Sequence, residues 1–499
     1  MGRLAYKVGS ALDGLLGVIS PRLERERQHD RFLAASYRGY AAAKQDLQTG
    51  GFGFHDQNVN RLIGHDAPVM RARVRQLCRD FAYFSRAVEA GVNVSISTGY
   101  LFQFNFNDND AINEAVEEAW AEYCDSFDFV ETCRLARRQE IEVGESFCLT
   151  PLDPEDKIAP VKVQMYEPEW LGCHWATPQN PAQAEVINGL EVDTKSGRVL
   201  AYHLQDPENW GQAQRIEAAY AIHTFQKNRP GQLRGVSPLV SAVLAAHDIG
   251  EYVGAEVDGA KKAAHYLATA KSPDPARFAA LHGGKKNQDG VRVRELSSGI
   301  IELMHSSEDF KLLDHNRPGS QFEPTVNFIT RMIAVSANLP YELVSGDYRG
   351  LSWSNIKGIR ADLLQQTRPG QRRFSRQFCQ SLFTRWLDAK VMLGALRLPG
   401  YWAQRGRYLR AANWIPPGIK GVDLLREARA ALDLMAAGLE APQNFLAKFG
   451  LDPRKTLKAI AAFLKMSKKE GVDLQWGRQP LKTNPAALGA TEEATNAQQ

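Results

Sequence analysis

The chain has 499 residues, 44% apolar and 24% charged, with a net charge of +4, which is too long for one ordinary core and implies roughly two to four packed units. No run approaches the roughly eighteen apolar residues of a membrane span, and residues 1–20 lack a signal-peptide pattern, so an intracellular product without a membrane partner is expected. Cys78, Cys124, Cys133, Cys148, Cys173 and Cys379 show no Cys-x-x-Cys and no histidine at zinc spacing; buried free thiols are expected, with no metal and no cofactor.

Residues 1–60 read as an N-terminal arm with a glycine cluster at Gly50-Gly51-Phe52-Gly53-Phe54. The cluster lacks the third glycine and the helix of a dinucleotide fingerprint. Asp66 to Ala90 is helical in pattern, with Val69, Val74, Leu77 and Phe81 on one side and five arginines elsewhere, a solvated face, a subunit contact or a phosphate face. Asp108 or Asp110 is expected to cap the next helix, whose stripe is Ile112, Val116, Trp120 and Tyr123. Its carboxylates Glu114, Glu117, Glu118 and Glu122 have no histidine or second acidic cluster beside them, so no metal site is expected. After a helix at 128–141, runs at Glu145–Thr150, Val161–Tyr166, Val186–Val192, Val199–Leu204 and Tyr220–Phe225 predict an antiparallel β unit, with Asp193–Gly197 as a hairpin loop.

Ser237 and Pro238 suit the start of a helix reaching about Ala270, on the order of 50 Å long. Gly250, Gly254 and Gly259 interrupt it, each costing about 1 kcal/mol against Ala, so close packing against copies of itself is expected, with a plain interior helix as the alternative. Residues 271–317 are a polar excursion with short β-like runs at Val291–Leu296 and Gly299–Met304. A second helix at 319–337 carries Phe322, Val326, Ile329 and Ile333 on one stripe, and Asn338-Leu339-Pro340 ends it. The glycine-punctuated loop at 345–354 follows, and Ser354 is expected to cap a helix running from Asn355 to Thr367. A break at Pro369-Gly370, a helix at 371–396, an aromatic and arginine-rich linker at 401–420 and helices near 422–437, 441–449 and 453–469 complete the expectation, before a disordered tail. The expected class is α+β, mainly helical.

Between Tyr341 and Lys420 there are 14 Lys and Arg against 4 Asp and Glu, a local +10 that leaves −6 elsewhere. Arg349, with Lys357 and Arg360 close behind, would project basic groups able to meet phosphates without reading bases. There is no P-loop, no HExxH and no closed nucleophile elbow, so no catalytic residue is expected. The competing class is an intracellular nucleic-acid-processing enzyme using block 341–420, for which Asp347, Asp362 and Asp388 lack pairing partners.

Four stretches in order resemble the lambda-type portal family of tailed phages: Tyr166-Glu167-Pro168-Glu169-Trp170-Leu171, Ile222-His223-Thr224-Phe225 with Arg229 to Ser237, Asn338 to Asp347, and Glu427 to Gly450. The resemblance covers roughly residues 65–470 and implies a ring of about twelve subunits at one capsid vertex. It implies a wing at 61–237, a first stem helix at 238–270, a clip at 271–317 and a second stem helix at 318–340. A tunnel loop at 341–354, wing and spine helices at 355–419, a crown at 420–470 and a tail at 471–499 would follow. The implied partners are other copies of the chain, double-stranded DNA of any sequence, the terminase large subunit, a head-tail adaptor, and the major capsid and scaffold proteins. The implied location is the virion, with the host cytoplasm during assembly. Asp347, Tyr348, Arg349, Ser352, Trp353, Ser354, Lys357 and Arg360 would face the channel, the alternative for Arg349, Lys357 and Arg360 being salt bridges within the loop or to a neighbouring subunit, and the three glycines and the Phe322 stripe would pack the stem. Trp353-Ser354 departs from the family's Tyr-Ser, and Arg79-Asp80-Phe81 from its asparagine-rich turn.

Overall fold

The computed structural model describes residues 58–107, 109–172, 176–206, 213–265, 268–271, 285–286, 292–293, 309–312, 319–418, 424–449, 451 and 453–472. Two compact units divide the chain, Met1–Leu62 and Ile63–Gln499. Of the first, only residues 58–62 are described, at the start of a helix, so nearly all of the expected arm and its glycine cluster lie outside the described residues.

Apolar spacing gives α1 (Val59–Asp80) and α2 (Ala82–Ser95), separated at Phe81, whose backbone is extended. The expected single stripe is corrected here: Val74 is buried but Val69 is 53% exposed, because five residues carry a side chain about 140° round a helix. After β1 (Leu101–Phe104), α3 (Asp110–Asp125) is capped by Asn109, which accepts from the Ile112 N–H at 3.2 Å, rather than by an aspartate. Val116, Trp120 and Tyr123 are its buried face, as expected. Asp128, in the left-handed region at φ 51°, caps α4 (Phe129–Glu142).

The β unit is antiparallel throughout, in two sheets. β2 (Glu145–Leu149) lies between β3 (Gln164–Tyr166) and β8 (Ala221–Phe225); β4 (Ala184–Ile187), β5 (Leu190–Asp193), β6 (Val199–Leu204) and β7 (Gln214–Glu217) form the other in sequence order. The run expected as one strand at Val186–Val192 is a hairpin, since Asn188 and Gly189 take φ of 51° and 81° and pair Ile187 with Leu190.

A 3₁₀ turn at Pro238–Ala242 leads into α5 (Val243–His265). The helix stops short of Ala270 because β9 (Ala268–Lys271) pairs with β12 (Asp309–Leu312). Between them β10 (Lys285–Lys286) pairs with β11 (Arg292–Val293); the run expected at Gly299–Met304 lies outside the described residues.

Next come α6 (Phe322–Ser336), α7 (Tyr341–Ser345) and α8 (Trp353–Phe374). The expected break at Pro369 does not occur. An interior proline costs about 3 kcal/mol or more, and burial of Leu363, Gln371 and Phe374 outweighs it. The helix instead widens into a π-turn at Ser375–Cys379 before α9 (Gln380–Met392). The expected linker at 401–420 holds α10 (Tyr401–Arg410) and β13 (Ala412–Ile415), which pairs with β1. α11 (Leu424–Ala436), α12 (Pro442–Lys448) and α13 (Pro453–Lys469) match the expected three-helix end, and the tail beyond 472 lies outside the described residues.

Three cores hold this together. The largest is aromatic, around Trp120, Phe102, Phe383 and Trp386, with Trp120 and Trp386 edge to face at 5.0 Å. A second joins Phe84, Val88, Leu239 and Ala246 to Ile333, Leu339, Val344 and Leu363. A third, around Phe147, Leu171 and Tyr202, ties the two sheets together. Cys78, Cys124, Cys133, Cys148 and Cys379 are free thiols, the last three of them buried.

Candidate functional site

Two of the four stretches that carried the family resemblance converge on one buried carboxylate. Glu145 opens β2 with no exposed surface and accepts from Arg71 at 2.5 Å, from Arg234 at 2.6–2.9 Å, from the Gly235 N–H at 2.8 Å, and pairs with His223 at 3.0 Å. Arg234 also donates to the carbonyls of Pro168, Leu171 and Asn188. Burial alone would raise the Glu145 pKa, but Arg234, Arg71 and the His223 hydrogen bond hold it well below the usual carboxylate range. Burial depresses the His223 pKa, against the pull of Glu145 and with the push of Arg234 and Arg71.

The Arg229–Ser237 segment is shaped for this approach. Gly231 has φ 73°, Gln232 accepts from the Asn228 and Arg229 N–H groups and donates to the Arg234 carbonyl, and a Cβ on Gly235 would sit 2.1 Å from the Gly144 oxygen. Ser237 then donates to the Ile141 carbonyl at 2.6 Å and accepts from the Leu239 N–H, starting the turn as its sequence implies. The hub thereby anchors the turn that leads into α5. Sequence reading missed it; the signal was an acid heading an otherwise apolar strand and an arginine flanked by glycine.

The third stretch, Asn338 to Asp347, lies within a helix, loop and helix. Asn338 takes φ 55°, Leu339 and Val344 are buried, and the Tyr341 hydroxyl bonds Asn327 at 3.0 Å. Gly346 and Gly350, both at positive φ, frame an exposed loop. There Arg349 grips Asp347 with two hydrogen bonds of 2.9 and 2.8 Å and reaches Glu323 on the first turn of α6 at 3.0 Å. The hydrogen bond from this guanidinium pulls the Asp347 carboxyl to about 2, and both carboxylates raise the Arg349 pKa. Ser352, not Ser354, caps α8, accepting from the Asn355 N–H at 3.3 Å; its hydroxyl lies 2.9 Å from that of Ser354. Tyr348 and Trp353 are exposed, and the Lys357 ammonium lies 6.0 Å from the Trp353 ring centre. Arg360 is also exposed, one turn further along α8.

Several bases of the block are held within the chain, Arg349 by the salt-bridge alternative the sequence left open. Arg373 binds Glu140, Arg385 donates to Thr150 and to the Ala218 and Ala221 carbonyls, Arg405 grips Asp388, and Lys390 donates to the Lys157 carbonyl. Asp347 and Asp388 are thereby held by different arginines, and Asp362 is exposed on α8. Among the described residues no group of His, Cys, Asp or Glu could hold a metal ion, and no helix is long and apolar enough to cross a membrane.

Of the helix-packing residues, Gly250 and Gly254 face open space, with nothing within 4 Å of an added Cβ, and Gly259 is half-buried. Ile333 is fully buried and Phe322, Val326 and Ile329 are half-buried, with the Phe322 ring 5.7 Å from Tyr252 of α5. That stripe therefore serves contacts within the chain, while Phe328, Met332 and Val335 form a second, exposed apolar stripe of α6.

The family "Phage portal protein, lambda family" matches residues 45–373. The probable portal protein of Halomonas phage phiHAP-1 is 25% identical over 272 residues, 53% of this chain and 51% of that one, so the chain spans about half the length of this relative. The portal protein of Escherichia phage N15 is 24% identical over 442 residues, covering 76% of this chain and 81% of its own. Portal protein B of Escherichia phage lambda is 24% identical over 412 residues, 71% of this chain and 75% of its own. Among solved structures, a chain of the virion of a native gene transfer agent has a TM-score of 0.47 at 13% identity, covering 80% of this chain and all of that one. A chain from the neck of an empty particle of that kind has a TM-score of 0.46 at 14% identity, covering 76% and 94%. With more than half of its length matched, this chain belongs to the lambda family of phage portal proteins.

Proposed function

We propose that the chain is the portal subunit of a phage particle: about twelve copies close into a ring at one capsid vertex and pass double-stranded DNA during packaging and ejection, hydrolysing nothing. The observation that carries this reading is the α6–loop–α8 unit, rooted in the second core and ending in an exposed loop, in a chain of the portal family. On this reading 61–237 is the wing, α5 and α6 line the stem, 271–317 is the clip and 420–470 the crown. The clip receives the terminase large subunit and later a head-tail adaptor, while capsid and scaffold proteins surround the wing. The protein then assembles in the host cytoplasm and ends in the virion.

Around the loop, Lys357 and Arg360 supply phosphate contacts, with Tyr348, Trp353, Ser352 and Ser354 beside them. Arg349 must first exchange Asp347 and Glu323 for a phosphate, so its share is smaller than its charge suggests. Such contacts are independent of base sequence. Native mass measurement and negative-stain imaging of the purified full chain should show rings; a monomer at every salt concentration would overturn the reading.

A further inference from the structure

Two helices of this chain carry opposite charge that the chain itself leaves unmatched. α3 holds six carboxylates and no Lys or Arg; α8 holds five bases and one acid, Asp362. On α3, Asp110 and Glu114 pair with Arg454 and Lys458, and Glu117 accepts from the Phe104 N–H. Among the described residues, the exposed side chains of Glu118, Glu122 and Asp125 make no hydrogen bond or ion pair. Glu122 acts on Lys390 only at a distance. On the other side, Arg373 is bound to Glu140 and Lys357 and Arg360 lie in the first two turns beside the loop; further along come Arg368, Arg372 and, in the π-turn, Arg376. The side chains of these three are exposed and equally without partners among the described residues.

Both sets form rows, because residues three or four apart sit on one helix face, about 6 Å apart along the axis for a step of four. Like charges at that spacing repel and weaken a helix. A chain that pairs Arg349, Arg373, Arg385 and Arg405 internally, yet keeps two self-repelling rows, gains from them only when something of opposite sign arrives. DNA would answer the arginines and be repelled by the carboxylates. A second copy answers both.

We propose that the Arg368–Arg372–Arg376 row of one copy docks on the Glu118–Glu122–Asp125 row of the next. The contact is heterologous, each subunit offering a different face on each side, and such contacts make rings when the rotation closes. The inference rests on the ring reading above and adds which surfaces meet. As the rows are exposed, salt screens them, so assembly favours low ionic strength.

The test uses two full-length triple variants, R368E/R372E/R376E with both rows acidic and E118R/E122R/D125R with both rows basic. All six positions are exposed, so circular dichroism and melting should match the unaltered chain. Each variant alone should lose ring assembly by about tenfold or more, read by native mass spectrometry. Mixed one to one, they should form rings in which the two alternate. If the unaltered chain never forms rings, the portal reading itself fails. If it does form rings and each variant assembles alone just as well, the docking is overturned. It is overturned equally if the arginine variant still forms rings but binds duplex DNA with a shallower salt dependence, the mark of a DNA contact.

Discussion

The Glu145 hub and the Arg349 clasp use the same chemistry, carboxylates gripped by guanidinium groups, with opposite consequences. Glu145 is fully buried and its arginines nearly so; Arg349 stands 76% exposed and Asp347 25%. In the hub, removing one partner strands the others away from water. In the clasp, water replaces whatever is lost. The hub is therefore a rigid seat from which α5 departs, and the clasp a fastening that can open at little cost.

Glu145→Ala breaks the comparison at its strong end. It leaves Arg71 and Arg234 buried without a counter-charge, which costs about 3–5 kcal/mol, and urea unfolding should show a loss of that size or no soluble fold. A smaller loss in the same assay would mean that water reaches the site. Gly235→Ala is next, since its Cβ would collide with the Gly144 carbonyl. Such overpacking costs about 1–3 kcal/mol, whereas an alanine at Gly250 or Gly254 meets nothing in one chain and should leave subunit stability level or higher.

Acid sharpens the contrast. His223 is held neutral and Glu145 charged in the folded chain, so unfolding takes up protons at both sites. Stability should thus be full above 6.5, decline as pH falls below that value, and decline more steeply below 4.5, the ordinary values of the two groups. Glu145→Gln should flatten the steeper part. The smallest expected effect is at the clasp. Arg349→Gln should leave the unfolding midpoint unchanged and speed amide exchange at residues 346–352. Glu323→Gln should act in the same direction, and should strengthen duplex binding if freeing Arg349 makes it a phosphate contact.

Periodicity made the helices readable: α3, α6 and α11 to α13 lie close to their expected bounds, and in α3 and α6 one apolar face packs into a core. Readings failed where neighbours decided. The Asn188-Gly189 turn was hidden because β-branched residues flank it on both sides. Pro369 looked like a stop because only tertiary packing reveals what offsets its lost hydrogen bond. The charge of block 341–420 was countable, but its destination was not, since Glu140, Thr150 and Asp388 reach their arginines only in the folded chain. The loop at 345–354 was legible as exposed and polar; that Arg349 closes on Glu323 was not, because 26 residues separate them.

The pairing of β1 with β13 has a consequence for synthesis. The Phe102 ring packs tilted against Trp414 at 4.9 Å, and the two strands are separated by about three hundred residues of chain. At ribosomal rates of about 5–20 residues per second, β1 waits on the order of 15–60 s for its mate to emerge. Through that interval Phe102, Phe104 and Trp120 lack Phe383, Trp386 and Trp414. The nascent subunit thus carries a sticky aromatic edge until its last quarter is made, and a chain truncated before Ala412 should aggregate rather than join a ring.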